Sequence, residues 1–350
     1  MPRNDYRSDR EPDARADELR HWVTATLQVP VAAFAPASAD ASFRRYFRVS
    51  LAQPYDDADG AVTLIAMDAP PPKEDCRPYV HVARLLAGAG VHVPRIVAAD
   101  IARGYLLMSD LGPQTYASIL DAETAARLYA DALDALVLMQ RVPCEDELPA
   151  YDEALLRREL MLFPDWYVAH HLQRKLGPAE RASLDTVFDA LVANNLAQPR
   201  VFVHRDYHSR NLMAATPNPG VLDFQDAVYG PITYDLVSLL RDAYVEWDEE
   251  RELDWAIRYW ERARKVHLPV SADFAAFWRD YEWMGVQRQL KVLGIFARLD
   301  ARDGKAAYVD DMPRVMRYLR RACARYPEFD RLSALLDALE NRAPDVAHAR

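Results

Sequence analysis

Cysteine is scarce. The 350 residues hold three, Cys76, Cys144 and Cys323, odd in number and far apart. They suggest neither a disulfide framework nor a zinc cluster, and a reducing cytosol is the expected setting. Long apolar runs are also lacking, the longest falling well short of the roughly 20 residues a membrane helix needs. Residues 1–18 are rich in Arg, Asp and Glu without an apolar segment, so no signal peptide is expected there. Positive charge is in deficit: the formal net charge is -10. That argues against nucleic-acid binding, which needs clustered Lys and Arg, although a few local cations suffice for a nucleotide. Hydrophobic residues are plentiful at 51%, which argues against general disorder and supports a large core.

The apolar periodicity divides the chain. After a tail over 1–18, expected to be disordered, Asp17 and Glu18 suit a helix start, and Leu19, Trp22, Val23 and Leu27 recur at helical spacing. Residues 42–51 alternate, with Phe43, Phe47 and Val49 on one side and Arg44, Tyr46 and Arg48 on the other; residues 61–67 read as the returning strand. A helix is expected from about Glu74 to Ala89, then two short strands, PRIVAAD and GYLLMS. From Pro113 helical patterns dominate. The expectation is an α+β chain with a strand-rich lobe over 19–110, a helical lobe over 111–340 and a tail over 341–350.

Two stretches carry chemistry. VFVHRDYHSRNLM (201–213) is an apolar run ending at His204-Arg205-Asp206, with Asn211 five positions after Asp206. GVLDFQDA (220–227) is a second run ending on Asp223. The spacing predicts two strands whose ends bring two carboxylates and a carboxamide to one small volume. Phosphoryl transfer from a magnesium nucleotide uses such a set: Asp206 to orient the acceptor hydroxyl, Asn211 and Asp223 to hold the metal. Asp and Asn also cap turns, the plain alternative for each taken alone. The adjacent His170 and His171 point about 100° apart on a helix and make a poor metal pair.

On these motifs the chain resembles the aminoglycoside phosphotransferase and choline kinase superfamily, relatives of protein kinases. The resemblance spans about residues 20–340. It implies a two-lobed, protein-kinase-like α+β fold, with a small, mostly antiparallel β lobe and a large helical lobe. Asp206 would be the catalytic aspartate, Asn211 and Asp223 the Mg²⁺ ligands, His204 a loop-bracing residue, and Asp235 the aspartate bracing the catalytic loop. ATP is the implied cofactor, seated near residues 107–112 with its adenine edge on the main chain around Ser109 to Leu111. Only about ten residues separate Asp223 from the helix near Asp235, too few for a peptide platform, so a small-molecule acceptor is expected.

The chain also departs from that pattern. The expected phosphate-covering loop, ADASFRRYFRV, is not glycine-rich; Ser42, Arg44 or Arg45 would act there with backbone N–H groups. The third strand, LIAMDAP, lacks the lysine usual at this place, and Arg44, Arg45, Arg48 and Lys73 are the candidates to replace it. The loss also leaves a non-catalytic nucleotide-binding regulator as an alternative.

Within the superfamily, ASFRRYFRV, MDAPPPKEDCRPYV and VLGIFARL followed by RDGK look most like the anomeric kinases of cell-wall amino sugars, which act on N-acetylmuramate and N-acetylglucosamine. On QRQLKVLGIFARLD, Val286, Leu290, Leu293 and Ala297 form an apolar stripe, with Arg288, Lys291 and Arg298 on another face. A basic strip suits an anionic acceptor, so Arg288 and Lys291 are candidate substrate residues, as is His208 inside the loop; a solvated helix face is the plain alternative. Phosphorylation of an aminoglycoside, choline or homoserine remains open. No membrane, nucleic-acid or obligate protein partner is expected.

Overall fold

The computed structural model describes residues 13–39, 43–58, 60–71 and 73–340. The chain divides into two compact units. One comprises the chain up to Arg84 together with Val93–Leu111; the other comprises Leu85–His92 and the chain from Gly112 onward.

The first unit is one antiparallel sheet with a helix on its face. Strands β1 (Val31–Ala39), β2 (Arg45–Tyr55), β3 (Ala61–Asp68), β4 (Ile96–Asp100) and β5 (Tyr105–Ser109) lie in the order β1-β2-β3-β5-β4. Strand β2 keeps the expected period of two: Phe47, Val49 and Leu51 are buried while Tyr46, Arg48 and Ser50 are half-buried. Phe43 precedes β2 and is 58% exposed, so it does not share the buried side. Helix α1 (Ala14–Leu27) lays Leu19, Val23 and Leu27 on that side, against Phe47, Val49, Leu64, Ala66, Tyr105 and Leu107. Each such fully buried aliphatic side chain contributes roughly 1.5–3 kcal/mol. The sequence pattern did not signal β1, because Pro36 interrupts it; at the sheet edge a missing N–H is tolerated, and the register shifts between Pro36 and Ser38.

Helix α2 (Arg77–Gly88) begins in the first unit, and its last turn belongs to the second. Residues 85–92 group there because the His92 carbonyl accepts the Val221 N–H at 2.8 Å.

The second unit is helical: α3 (Tyr116–Ile119), α4 (Ala125–Gln140), α5 (Glu153–Leu160), a π-helical stretch over Phe163–His171, α6 (Pro178–Ala197), α7 (Tyr234–Leu240), α8 (Glu249–Lys265), α9 (Phe274–Asp303), α10 (Met312–Cys323) and α11 (Asp330–Leu339). Helix α9 is its axis. It packs against the π-helical stretch, α10, α7 and α6, and from Tyr281 to Gly294 it is buried on all sides. Gly294 is required there, since a β-carbon would lie 2.4 Å from the Leu162 carbonyl oxygen. Neither an open basic strip on a separate face of α9 nor a solvated helix face is found there: Arg288 and Lys291 are only 3% and 5% exposed.

Two small ladders complete the unit. Strand β6 (Arg200–Val203) pairs with β9 (Val228–Pro231), and β7 (Leu212–Met213) pairs with β8 (Gly220–Val221). The apolar start of the first motif, Val201–Val203 in β6, thus lies in a different ladder from the second, which is strand only over Gly220–Val221 and pairs with Leu212–Met213 at the end of the first.

Candidate active site

The turn after β6 is built around a carboxylate. Asp235, fully buried in the first turn of α7, accepts the main-chain N–H of His204 at 2.6 Å and of Arg205 at 3.0 Å. Arg205 has φ 79°, a left-handed conformation costing a non-glycine residue on the order of 1 kcal/mol, and the Asp235 contact offsets it. His204 Nε2 bonds to the Leu222 carbonyl at 2.9 Å, while its Nδ1 accepts the Asp206 N–H at 3.3 Å. That pairing fits a neutral ring protonated on Nε2, and burial, the largest influence, lowers its pKa accordingly. A second carboxylate, Asp242, accepts the Ser209 N–H and the Tyr244 N–H, both at 2.8 Å. The loop over 204–209 is held from both ends.

Asp206 emerges half-buried from this frame. Burial works to raise its carboxyl, but Lys291, His208 when protonated, Arg205 and Arg288 together hold it down at about 2. Two of these cations, Arg205 and Lys291, are ordered by Glu159 on α5. Its carboxylate takes Arg205 Nη2 at 2.5 Å, Lys291 Nζ at 3.3 Å and the Tyr151 hydroxyl, while Lys291 also donates to the Tyr234 hydroxyl at 2.7 Å. No local pattern marks Glu159, which lies far upstream in an ordinary amphipathic helix.

Asn211 and Asp223 converge beside Asp206. Asn211 Nδ2 donates to the Asp206 carbonyl at 2.9 Å and lies 3.5 Å from Asp223 Oδ2. With the amide nitrogen occupied, the carboxamide oxygen is the Asn211 atom suited to a cation. Asp223 is itself left-handed at φ 63°, and its Oδ1 accepts from Gln225 at 2.8 Å. One carboxylate and one carboxamide fit Mg²⁺, which takes few protein oxygens when phosphates and water complete its shell. Among the described residues there is no cluster of three or more His, Cys, Asp or Glu that could hold a metal alone.

The other candidates are distributed as follows. His208 is half-buried, its ring edge-on to Tyr244 at 5.3 Å; burial lowers its pKa, with Asp242 and Asp206 opposing. Arg288 Nη1 lies 3.5 Å from the Arg241 carbonyl. In the first unit, Arg45 is bound to fully buried Asp68 at 2.6 Å and to Asp13, and Arg15 reaches Asp68 at 2.7 Å. Arg48 forms a two-point pair with Asp110 at 2.6 and 3.1 Å. Arg44 Nε lies 4.0 Å from Glu74, and Lys73 stands 4.5 Å over the Phe43 ring. Ser109 engages Arg95 through its N–H and its hydroxyl, both at 2.9 Å, and Leu111 is half-buried. Ser42 lies outside the described residues.

The sequence model of the APH phosphotransferase enzyme family matches residues 33–274. The chain belongs to this family. It is 52% identical over 341 residues, 95% of its length and 98% of the relative's, to the N-acetylmuramate/N-acetylglucosamine kinase of Pseudomonas aeruginosa. The protein of the same name from Neisseria meningitidis serogroup B is 46% identical over 92% of this chain and 95% of its own. Among solved structures, an ADP-bound aminoglycoside phosphotransferase aligns with a TM-score of 0.56 at 13% identity, over 86% of this chain and 97% of that one. A choline/ethanolamine kinase family protein from Mesorhizobium loti aligns at 0.58 and 15% identity, over 92% and 99%. Those two likenesses are of fold, and the kinase-like α+β architecture is the expected one.

Proposed function

We propose that this protein transfers the terminal phosphoryl group of ATP to the anomeric hydroxyl of N-acetylmuramate and N-acetylglucosamine, in the recycling of cell-wall sugars. The observation that carries the reading is the near full-length identity of 52% to a kinase named for both sugars. The chemistry around Asp206 agrees. Its carboxylate stays ionised at any physiological pH and accepts a hydrogen bond from the sugar hydroxyl, turning a lone pair toward the phosphorus. A carboxyl held near 2 is a weak base, so its contribution is orientation, which is what a loose transition state needs. Asn211 and Asp223 would hold Mg²⁺; when bound, Mg²⁺ and ATP supply the phosphoryl group and neutralise charge on its oxygens. Asp235 and His204 keep the loop in shape.

Arg44, Arg45, Ser109 and Leu111 are the proposed nucleotide contacts of the strand-rich lobe, and His208, Arg288 and Lys291 the proposed acceptor-side residues, the two buried cations acting on the acceptor through their field rather than by direct pairing. Clustered positive charge around Asp206 disfavours a cationic aminoglycoside or choline. A cytoplasmic setting suits an ATP-using enzyme with three buried free cysteines, and no helix among the described residues is long and apolar enough to cross a membrane. A small sugar and a nucleotide are the partners this reading requires. The test is ATP consumption over N-acetylmuramate, N-acetylglucosamine, kanamycin and choline, with phosphorus NMR of the product. Turnover of both sugars with phosphate on C1 is expected. Phosphate on C6, or turnover only with a cationic acceptor, overturns the reading.

A further inference from the structure

We propose that Arg210, stacked on Tyr244, is the subsite for the acceptor's carboxylate and sets the preference between N-acetylmuramate and uncharged N-acetylglucosamine. The inference rests on the sugar-kinase reading above and names a residue for a distinction that reading leaves open.

Arg210 lies in the catalytic loop between Asp206 and Asn211. Its guanidinium carbon is 3.5 Å from the Tyr244 ring centroid and 5.9 Å from that of Tyr308. Buried Phe296 backs these rings, 6.1 Å from Tyr244 and 5.2 Å from Tyr308. The stack is close to the chemistry: Tyr244 meets the His208 ring edge, and the Asp206 charge adds to the burial that raises the Tyr244 phenol. Asp242 bonds at once to the N–H of Tyr244 and of Ser209, the neighbour of Arg210, so ring and guanidinium are held in register.

The remaining cations near Asp206 are committed. Lys291 and Arg205 balance buried Glu159, and a carboxylate taken there would compete with that acid. Arg288 is buried. Arg210 is exposed and, among the described residues, makes no ion pair and no hydrogen bond; its one role is the stack on tyrosine. The two sugars differ by one lactyl carboxylate. A buried cation left unpaired would reject the uncharged sugar, whereas a solvated guanidinium costs little when empty and forms a two-point pair when the carboxylate arrives. Such a site favours the charged sugar without excluding the other.

Steady-state kinetics with both sugars test this in native protein, Arg210→Gln and Arg210→Lys. The expected result in Arg210→Gln is a fall of about tenfold or more in the ratio of kcat/KM for N-acetylmuramate to that for N-acetylglucosamine, arising mainly in the muramate KM. Arg210→Lys keeps part of the ratio, and in native protein added salt lowers it. A ratio that moves less than twofold, or equal losses for both sugars, overturns the assignment. Native protein that phosphorylates both sugars while the ratio stays fixed overturns this inference alone. Native protein that phosphorylates neither sugar overturns the proposed function and this inference with it. Should Arg210→Gln fail to fold, the lysine variant and the salt dependence decide.

Discussion

The Asp235 carboxylate and the His204 main-chain nitrogen stand 2.6 Å apart, and the same carboxylate takes the next N–H, that of Arg205, at 3.0 Å. Asp206 is therefore presented by a turn whose two donors share one buried acceptor. Asp235→Asn keeps the shape but offers an NH₂ group where one N–H needs an oxygen. The expected loss is about 1–3 kcal/mol of stability, with kcat lowered about 10–100-fold as the loop relaxes. Thermal melts beside steady-state kinetics measure both, and a variant with native kcat would deny the brace its role.

The carboxyls of Asp206 and Asp235 are shifted in opposite directions from their ordinary value. Asp206 is held at about 2, below its ordinary 3.8, so its contribution to stability is complete above about pH 4 and fades as the pH drops toward 2. Asp235 is raised by burial to about 6 despite the two N–H bonds it accepts. Between about pH 4 and 6 the folded chain keeps a proton that the unfolded chain has released, so the Asp235 contribution declines as the pH rises through that window. Native protein should hold a larger stability margin over Asp235→Asn at pH 4 than at pH 7, by roughly 3 kcal/mol. Urea unfolding at the two pH values checks this, and a margin that grows with pH is the contrary outcome.

Lys291 is balanced by Glu159 inside the helical unit. Lys291→Met leaves the buried acid with Arg205 and Tyr151 only, and a loss of about 3–5 kcal/mol is expected. Adding Glu159→Met should recover part of that loss, a coupling that a double-mutant cycle in chemical denaturation reads directly. Additive losses would mean the two groups do not act as a pair.

Arg45 is held by fully buried Asp68. Arg45→Met should cost roughly 2 kcal/mol, less than for a fully enclosed pair because Arg15 remains and Arg45 is partly solvated. Chemical denaturation with ATP kinetics on the same variant separates its duties. A tenfold rise in the ATP KM without loss of stability would assign Arg45 to the phosphates rather than to the sheet.

The loop that carries Asp206 was legible because its information is local. Asp206, Asn211 and Asp223 sit at fixed spacings after apolar runs, and Asp235 follows within one short connection. The sheet was readable from the alternation in β2 and β3, whereas β1 was concealed by Pro36, which only an edge position permits. Pairings across long stretches left no trace in periodicity: Glu159 with Arg205 and Lys291, Asp68 with Arg15 and Arg45, Asp242 with Ser209. The charges on α9 illustrate the limit. Arg288 and Lys291 read as a basic face, yet the helix is enclosed, and Lys291 is balanced by an acid from another helix.

The central claim is that ionised Asp206 orients the acceptor hydroxyl beside a metal held by Asn211 and Asp223. Single-turnover phosphoryl transfer to N-acetylmuramate by Asp206→Ala, with ATP affinity measured on the same preparation, tests it most directly. The expected result is a rate lower by about 10²–10⁴-fold with the ATP dissociation constant changed by less than about threefold. Transfer at the native rate, or a loss accounted for wholly by weaker ATP binding, would contradict it.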